Sequence, residues 1–554
     1  MESYEILPYI LVSLKVLLIL TSIVFLVSGV DDFFIDAWFI VRSFYRKVFI
    51  YRRYAPLQEA QLLQHPEQPL AVMIPAWDES AVIRSMLLNT LKKINYQNMH
   101  IFVGVYPNDL KTQLEVEKVR EVHPNVHLVV CSHDGPTNKA DCLNCIYLGI
   151  KLFEKKTKVD FAIFVMQDCE DVIHPLCYKL FNYLIPRRDM VQLPVFSLPV
   201  KWSQFTAGHY IDEFAQSHYK DIIVREDINK SIPAAGVGCA FSRRAFETLA
   251  KENKNSLFSL DSLTEDYDFG FRLKKYGLKQ IFCKFFVVRT KTQKSFWSQK
   301  VRQVKTRDYI CVREYFPKSF YAAVRQKSRW IIGIALQGWA QLGWEGSLAT
   351  KYMLFRDRKA LVTNFVNILG YVVVFSVLSL WLFIWIFPDS YRYPPILERG
   401  TWLWNITLIN AAFFGLRIVQ RAYCVQRLYG WRQSFLSFPR MIWGNLINCL
   451  ATFRAVQIYL CHLLTGRAIA WDKTSHHYPS DEELGSYRSR LGDLLLGSKL
   501  ITLHYLEEAL LQQRAHRQAS KQHKFLGKIL LDMGYINEQD LAFALEKQRN
   551  ENNF

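Results

Sequence analysis

No nucleic-acid-binding module accompanies the basic excess of this 554-residue chain, in which 50 Asp and Glu face 69 Lys and Arg for a net charge of +19. That absence sets nucleic acid aside as a partner and leaves anionic lipid or an anionic substrate to account for the charge. A disulfide framework is also missing, since the eleven cysteines are odd in number and fall almost entirely in segments expected in the cytosol. Cys142 and Cys145 form a CxxC inside an apparent helix, with no second pair at zinc spacing. Two reduced thiols in a core or interface are expected there. The apolar run over residues 6–30 lacks both a basic stretch before it and a small-residue cleavage site after it. It therefore reads as an uncleaved membrane span and not as a secretory leader.

Half of the residues are hydrophobic, 14% aromatic and 21% charged, the balance of a soluble enzyme tied to a few membrane segments. Arg42, Arg46, Lys47, Arg52 and Arg53 follow the first apolar run, and Lys351, Arg356, Arg358 and Lys359 precede a second at 361–387. Basic flanks of this kind face the cytosol and attract anionic headgroups, which places the N-terminus outside. A third span is expected at 402–418. The stretch 441–463 carries Asn445, Asn448, Arg454 and Gln457, which favour an interfacial helix over a crossing. The expected organisation is a span over 1–30, a cytosolic domain over 31–350, a membrane region over 351–470, and a linker with a small domain over 471–554.

Between the first two spans, short β-rich runs at 70–75, 100–106, 126–131 and 161–167 alternate with helical or polar segments. That rhythm predicts an α/β fold, a mostly parallel Rossmann-like sheet covered by helices, with ligands at the carboxyl ends of its strands. Chemistry-bearing residues sit at those ends. Pro75, Asp78 and Glu79 close the first strand, and Asp109 follows the second. Lys139 opens a helix, where a cation opposes the helix dipole unless an anion such as phosphate joins it. Asp168, Glu170 and Asp171 crowd three carboxylates into four residues, a set that repels itself without a cation, and Mg²⁺ or Mn²⁺ suits such oxygens. Glu265 and Asp266 follow a glycine-rich stretch at 235–239. Gln326, Arg329 and Trp330 share a helical face just before the second span.

Taken in order, strand-Pro-Ala-x-Asp-Glu, strand-Asp, Lys, Asp-x-Glu-Asp, Thr-Glu-Asp, Gln-x-x-Arg-Trp and a membrane span, the series resembles the family-two glycosyltransferases, which include cellulose, chitin and hyaluronan synthases. The resemblance covers roughly residues 65–345. It implies a GT-A fold, a UDP-sugar donor, a divalent metal and inversion at the anomeric carbon. By the same resemblance Pro75, Asp78 and Glu79 line the nucleoside site, Asp109 meets the uracil and Lys139 lies near the diphosphate. Asp168 and Glu170, with Asp171 beside them, match the metal motif. Asp266, next to Glu265, is the general base, and Gln326, Arg329 and Trp330 hold donor phosphates and acceptor sugar. One carboxylate must stay free of metal to take the acceptor's proton, which accounts for two acidic clusters far apart in sequence.

Residues 490–513 and 525–548 repeat each other at a shift of 35. The repeat resembles the MshEN domain, a cyclic-di-GMP receptor, which implies nucleotide contacts from Arg490, Leu491, Gly492, Gln513, Leu526, Gly527 and Gln548. It departs from the motif at Lys499 and Phe525. A family-two transferase ending in such a domain implies a bacterial inner-membrane enzyme with cytosolic catalytic and C-terminal domains. Its expected product is a surface or secreted polysaccharide built from an N-acetylhexosamine such as N-acetylmannosamine, with cyclic-di-GMP as activator and an outer-membrane or export partner. Two other readings are a transferase that adds one sugar to a lipid carrier, and an inactive membrane receptor.

Overall fold

The structure is a computed structural model describing residues 3–552, apart from 253–255, 261–262, 295–300, 389–393, 467–468, 470–476, 481–482, 484–490, 499 and 521–523. Its centre is a seven-stranded sheet of order β3-β2-β1-β4-β8-β6-β9. The first half is parallel: β1 (Leu70–Pro75), β2 (Met99–Val105), β3 (Val126–Val130) and β4 (Ile163–Met166). β8 (Cys239–Ser242) runs antiparallel to both β4 and β6 (Met190–Gln192), and β9 (Gln280–Phe282) is parallel to β6. All six residues of β1 are buried, as expected for a strand covered on both faces. This is the expected GT-A sheet; β6, β8 and β9 are too short to show a pattern of their own.

A second sheet joins β5 (Val172–Ile173), β12 (Val312–Glu314) and β7 (Val195–Ser197), and a hairpin of β10 (Phe286–Lys294) and β11 (Val301–Tyr309) leads into it. β1 and β4 end side by side, with Met73 paired to Met166. Pro75 and Asp168 therefore leave the sheet at the same edge.

Among the described residues, four helices are long and apolar enough to cross a membrane: Pro8–Ile50, Leu348–Ile386, Trp402–Tyr429 and Ser437–Thr465. The fourth is the segment for which 441–463 suggested an interfacial position. Its polar side chains have protein partners: Asn445 Nδ2 donates to Tyr371 Oη at 2.7 Å, Asn448 Nδ2 to Glu213 Oε1 at 3.0 Å, and Asn364 Nδ2 to Thr452 Oγ1 at 2.9 Å. Amide groups satisfied in this way carry much less cost inside a bundle than against lipid. Length and composition thus permit a crossing as well as an interfacial place.

All eleven cysteines are unbridged, and Cys142 is buried beneath the sheet with Cys145 half-buried beside it. The C-terminal repeat closes on itself with swapped partners. A Cβ on Gly492 would lie 2.9 Å from Leu506 and 3.5 Å from Leu526, and one on Gly527 would lie 2.7 Å from Leu541 and 3.1 Å from Leu491. Each contact maps onto its counterpart by the shift of 35, and Leu495, Leu506, Ile529, Leu530 and Ala544 form the shared core.

Candidate active site

A cavity of about 500 Å³ opens at the shared edge of β1 and β4, between the α/β domain and the second apolar helix. Pro75, Trp77 and Glu79 line it from the end of β1, Lys139 from the start of the Lys139–Thr157 helix, and Asp168 and Glu170 from the turn after β4. Glu265 and Asp266 enter from a turn, and Gln326, Arg329 and Trp330 from the Phe320–Ile331 helix. Five segments spread over more than 250 residues thus meet at one cavity.

Lys139 is the electrostatic centre. Its Nζ lies 2.6 Å from Asp168 Oδ1 and 3.9 Å from Glu265 Oε1. Burial works against its charge, but Asp168, Glu265 and Asp266 outweigh that and keep the ammonium above the ordinary lysine range. Burial lifts Glu265 to about 8, with the charge of Asp266 adding to it, and lifts Asp266 to about 6 against the pull of Lys139. Two adjacent carboxyls raised by burial in this way can share one proton near neutrality. The glycine-rich stretch makes room for them. Gly236 has φ +70°, and a Cβ there would fall 2.6 Å from Asp266 Oδ2 and 3.2 Å from Lys139 Nζ.

The Phe320–Ile331 helix is fixed from behind. Trp330 packs edge-on to Tyr210 at 6.1 Å and near Phe214 and Phe316, contacts worth about 0.5–1.5 kcal/mol each. Gln326 Oε1 is buried with no hydrogen-bond partner, an acceptor aimed at the cavity that a hydroxyl or amide of a ligand would satisfy.

Three expected residues take other places. Asp109 accepts from the backbone N–H of Asp78 at 2.6 Å and of Thr112 at 3.3 Å, so its carboxylate caps a helix and shapes the loop after β1. Asp78 itself is exposed, at φ +54°, a left-handed conformation that Asp tolerates. Asp171 is fully buried, outside the cavity lining, and accepts from the Asp168 amide at 2.9 Å. Burial, then Asp168, Glu314 and Glu170, hold its carboxyl well above the usual range. Asp168 and Glu170 are the pair that fits a divalent cation. Among the described residues no three carboxylate, His or Cys side chains stand together as a ligand set, so phosphate oxygens would complete the coordination. The sequence did not single out Trp77, which meets Tyr106 edge-on at 5.4 Å and lines the cavity, nor Glu314 at the tip of β12. In the C-terminal module Leu491, Gly492, Leu526 and Gly527 are packing residues, and Gln513 Nε2 donates to the Lys524 carbonyl at 2.8 Å. Arg490 lies outside the described residues.

The family model described as Glycosyl transferase family group 2 matches residues 163–388. Bacteriophage adsorption protein B of Escherichia coli strain K12 is 43% identical over 543 residues, covering 97% of this chain and 71% of that protein. The chain belongs to this family of group 2 glycosyltransferases. Bacteriophage N4 adsorption protein B of Escherichia coli O157:H7 gives the same figures. Among solved structures, the transferase is similar to mannosyltransferase PcManGT from Pyrobaculum calidifontis, in complex with GDP-Man and Mn²⁺, with TM-score 0.40 and 14% identity over 73% of this chain and 99% of that one. It is also similar to S. aureus TarS, with TM-score 0.25 and 16% identity over 39% and 35% of the two chains.

Proposed function

We propose that this glycosyltransferase moves a sugar, an N-acetylhexosamine such as N-acetylmannosamine, from a UDP donor to a growing glycan at the inner membrane, with inversion at the anomeric carbon. The observation that carries the reading is the meeting of Asp168, Glu170, Lys139, Asp266, Gln326 and Arg329 at one cavity. The cytosol-facing orientation rests on the basic flanks of the membrane segments. The adsorption role named for the relatives is in keeping with a product that reaches the cell surface.

Asp266 takes the proton of the acceptor hydroxyl as it attacks the anomeric carbon. Arg329 and Lys139 stand where negative charge grows on the departing diphosphate, and fixed cations in a water-poor site stabilise it as it forms. Asp168 and Glu170 would hold Mg²⁺ or Mn²⁺, which supplies further neutralisation of that charge when bound. Trp330 offers an aromatic face to a sugar, and Gln326 an acceptor to one of its hydroxyls.

The tandem repeat of residues 490–513 and 525–548 is the proposed cyclic-di-GMP switch, supported by the two-copy arrangement in which equivalent leucines and glycines interlock. Purified protein in detergent, given a panel of UDP-sugars with Mg²⁺ or Mn²⁺, is expected to release UDP with one sugar and to extend a glycan, faster with cyclic-di-GMP. A single-sugar adduct would replace chain extension by transfer to a carrier, and silence across the panel would overturn the enzyme reading.

A further inference from the structure

The membrane-side wall of the cavity carries Tyr267, Arg225 and Asp357, which the chemistry above does not use. They come from three elements: the turn that follows Asp266, the Ile222–Asn229 helix, and the start of the Leu348–Ile386 helix. Arg225 donates from Nη1 to Asp357 Oδ1 at 2.6 Å and from Nη2 to Oδ2 at 2.8 Å, and the Tyr267 hydroxyl donates to the same Oδ2. The ion pair is mostly buried, with side-chain exposures of 11% and 14%, and Tyr267 is buried with it. Bidentate geometry in such a place fixes direction as well as distance.

The same turn is gripped from its other side. A Cβ on Gly333 would lie 2.3 Å from Thr264 Oγ1, and one on Gly338 would lie 3.3 Å from Tyr267 Cε1. Both glycines sit on the helical continuation of the segment that bears Gln326 and Arg329. The turn bearing Glu265 and Asp266 is therefore held between that segment and the second membrane helix. On the latter, Met353, Arg356 and Asp357 share the face that lines the cavity. The helix then continues through its apolar stretch to Ile386.

We infer that Asp357 is a positioning residue: through Tyr267 and Arg225 it fixes the turn that carries Asp266, so that the second membrane helix sets where the base stands. The inference rests on Asp266 being the base. Pro75 and Arg329 reach the cavity from elements other than this turn, so loosening the tie acts chiefly on the rate of the bound complex and little on donor affinity. A base displaced by about 1 Å loses on the order of a hundredfold in rate.

Steady-state UDP release and donor affinity in the full-length protein, compared among wild type, Tyr267→Phe, Asp357→Asn and the double variant, test this. Tyr267→Phe removes one hydroxyl and keeps the ring, so the fold survives. It is expected to lower kcat about tenfold or more with donor KM unchanged, and the double variant is expected to be no slower than Asp357→Asn, because both changes cut the same tie. An active wild type with Tyr267→Phe at wild-type kcat, or a double variant whose losses multiply, would overturn the inference alone. A silent wild type would overturn the transferase reading and this inference with it.

Discussion

Asp266 sits one residue from Glu265, yet the two carboxyls differ by their surroundings, and that difference makes a pH prediction. The base must be unprotonated to act, and burial raises Asp266 to about 6. The kcat/KM of the enzyme is therefore expected to be level above pH ~6 and to fall about tenfold per unit below it, read from a pH–rate profile at saturating metal. A profile level down to pH ~4, the range of an unperturbed carboxylate, would remove Asp266 from the role. At this scale the motif order was legible because Pro75 closes a strand, Asp168 follows one and Lys139 opens a helix, where the fold delivers side chains to one edge. What stayed hidden were tertiary consequences: that Asp171 turns inward to hold the Asp168 amide, that Asp109 caps its own helix, and that Asp357 finds partners 90 and 132 residues away.

Elements show the same division. Strands β1 to β4 were readable from their apolar runs, within one or two residues, whereas β6, β8 and β9 span three or four residues each and are ordered by the sheet that receives them. The helix over 437–465 is instructive, since its asparagines look costly until their partners are seen. Lys327 Nζ donates to Asn448 Oδ1 at 2.7 Å and bonds Glu213 within 2.5 Å, and Ser328 Oγ donates to the Ala451 carbonyl at 3.1 Å. The helix bearing Gln326 and Arg329 is thereby fastened to the Ser437–Thr465 helix. Lys327→Met takes the nearest cation from Glu213, whose side chain is partly buried, and is expected to cost about 1–3 kcal/mol, seen as a lowered melting temperature in detergent. An unchanged melting temperature would show that the fastening contributes nothing.

The whole molecule joins a soluble fold to a membrane bundle through ion pairs that single-residue reading cannot foresee. Asp31 accepts from Arg356 and Lys359, Asp32 pairs with Lys359 and Arg417, and Lys220 pairs with Asp36. Charges that the sequence presented as basic flanks for lipid headgroups are, in part, the cement between the first and second membrane helices. The C-terminal repeat was legible as a repeat, and its interlocked packing follows from the glycines at equivalent places. The central claim, that one cavity performs sugar transfer with Asp266 as base, is tested most directly by Asp266→Asn. UDP release with the preferred donor is predicted to drop by about 10²–10⁴-fold while metal-dependent UDP binding persists. Turnover at the wild-type rate in that variant would contradict the account.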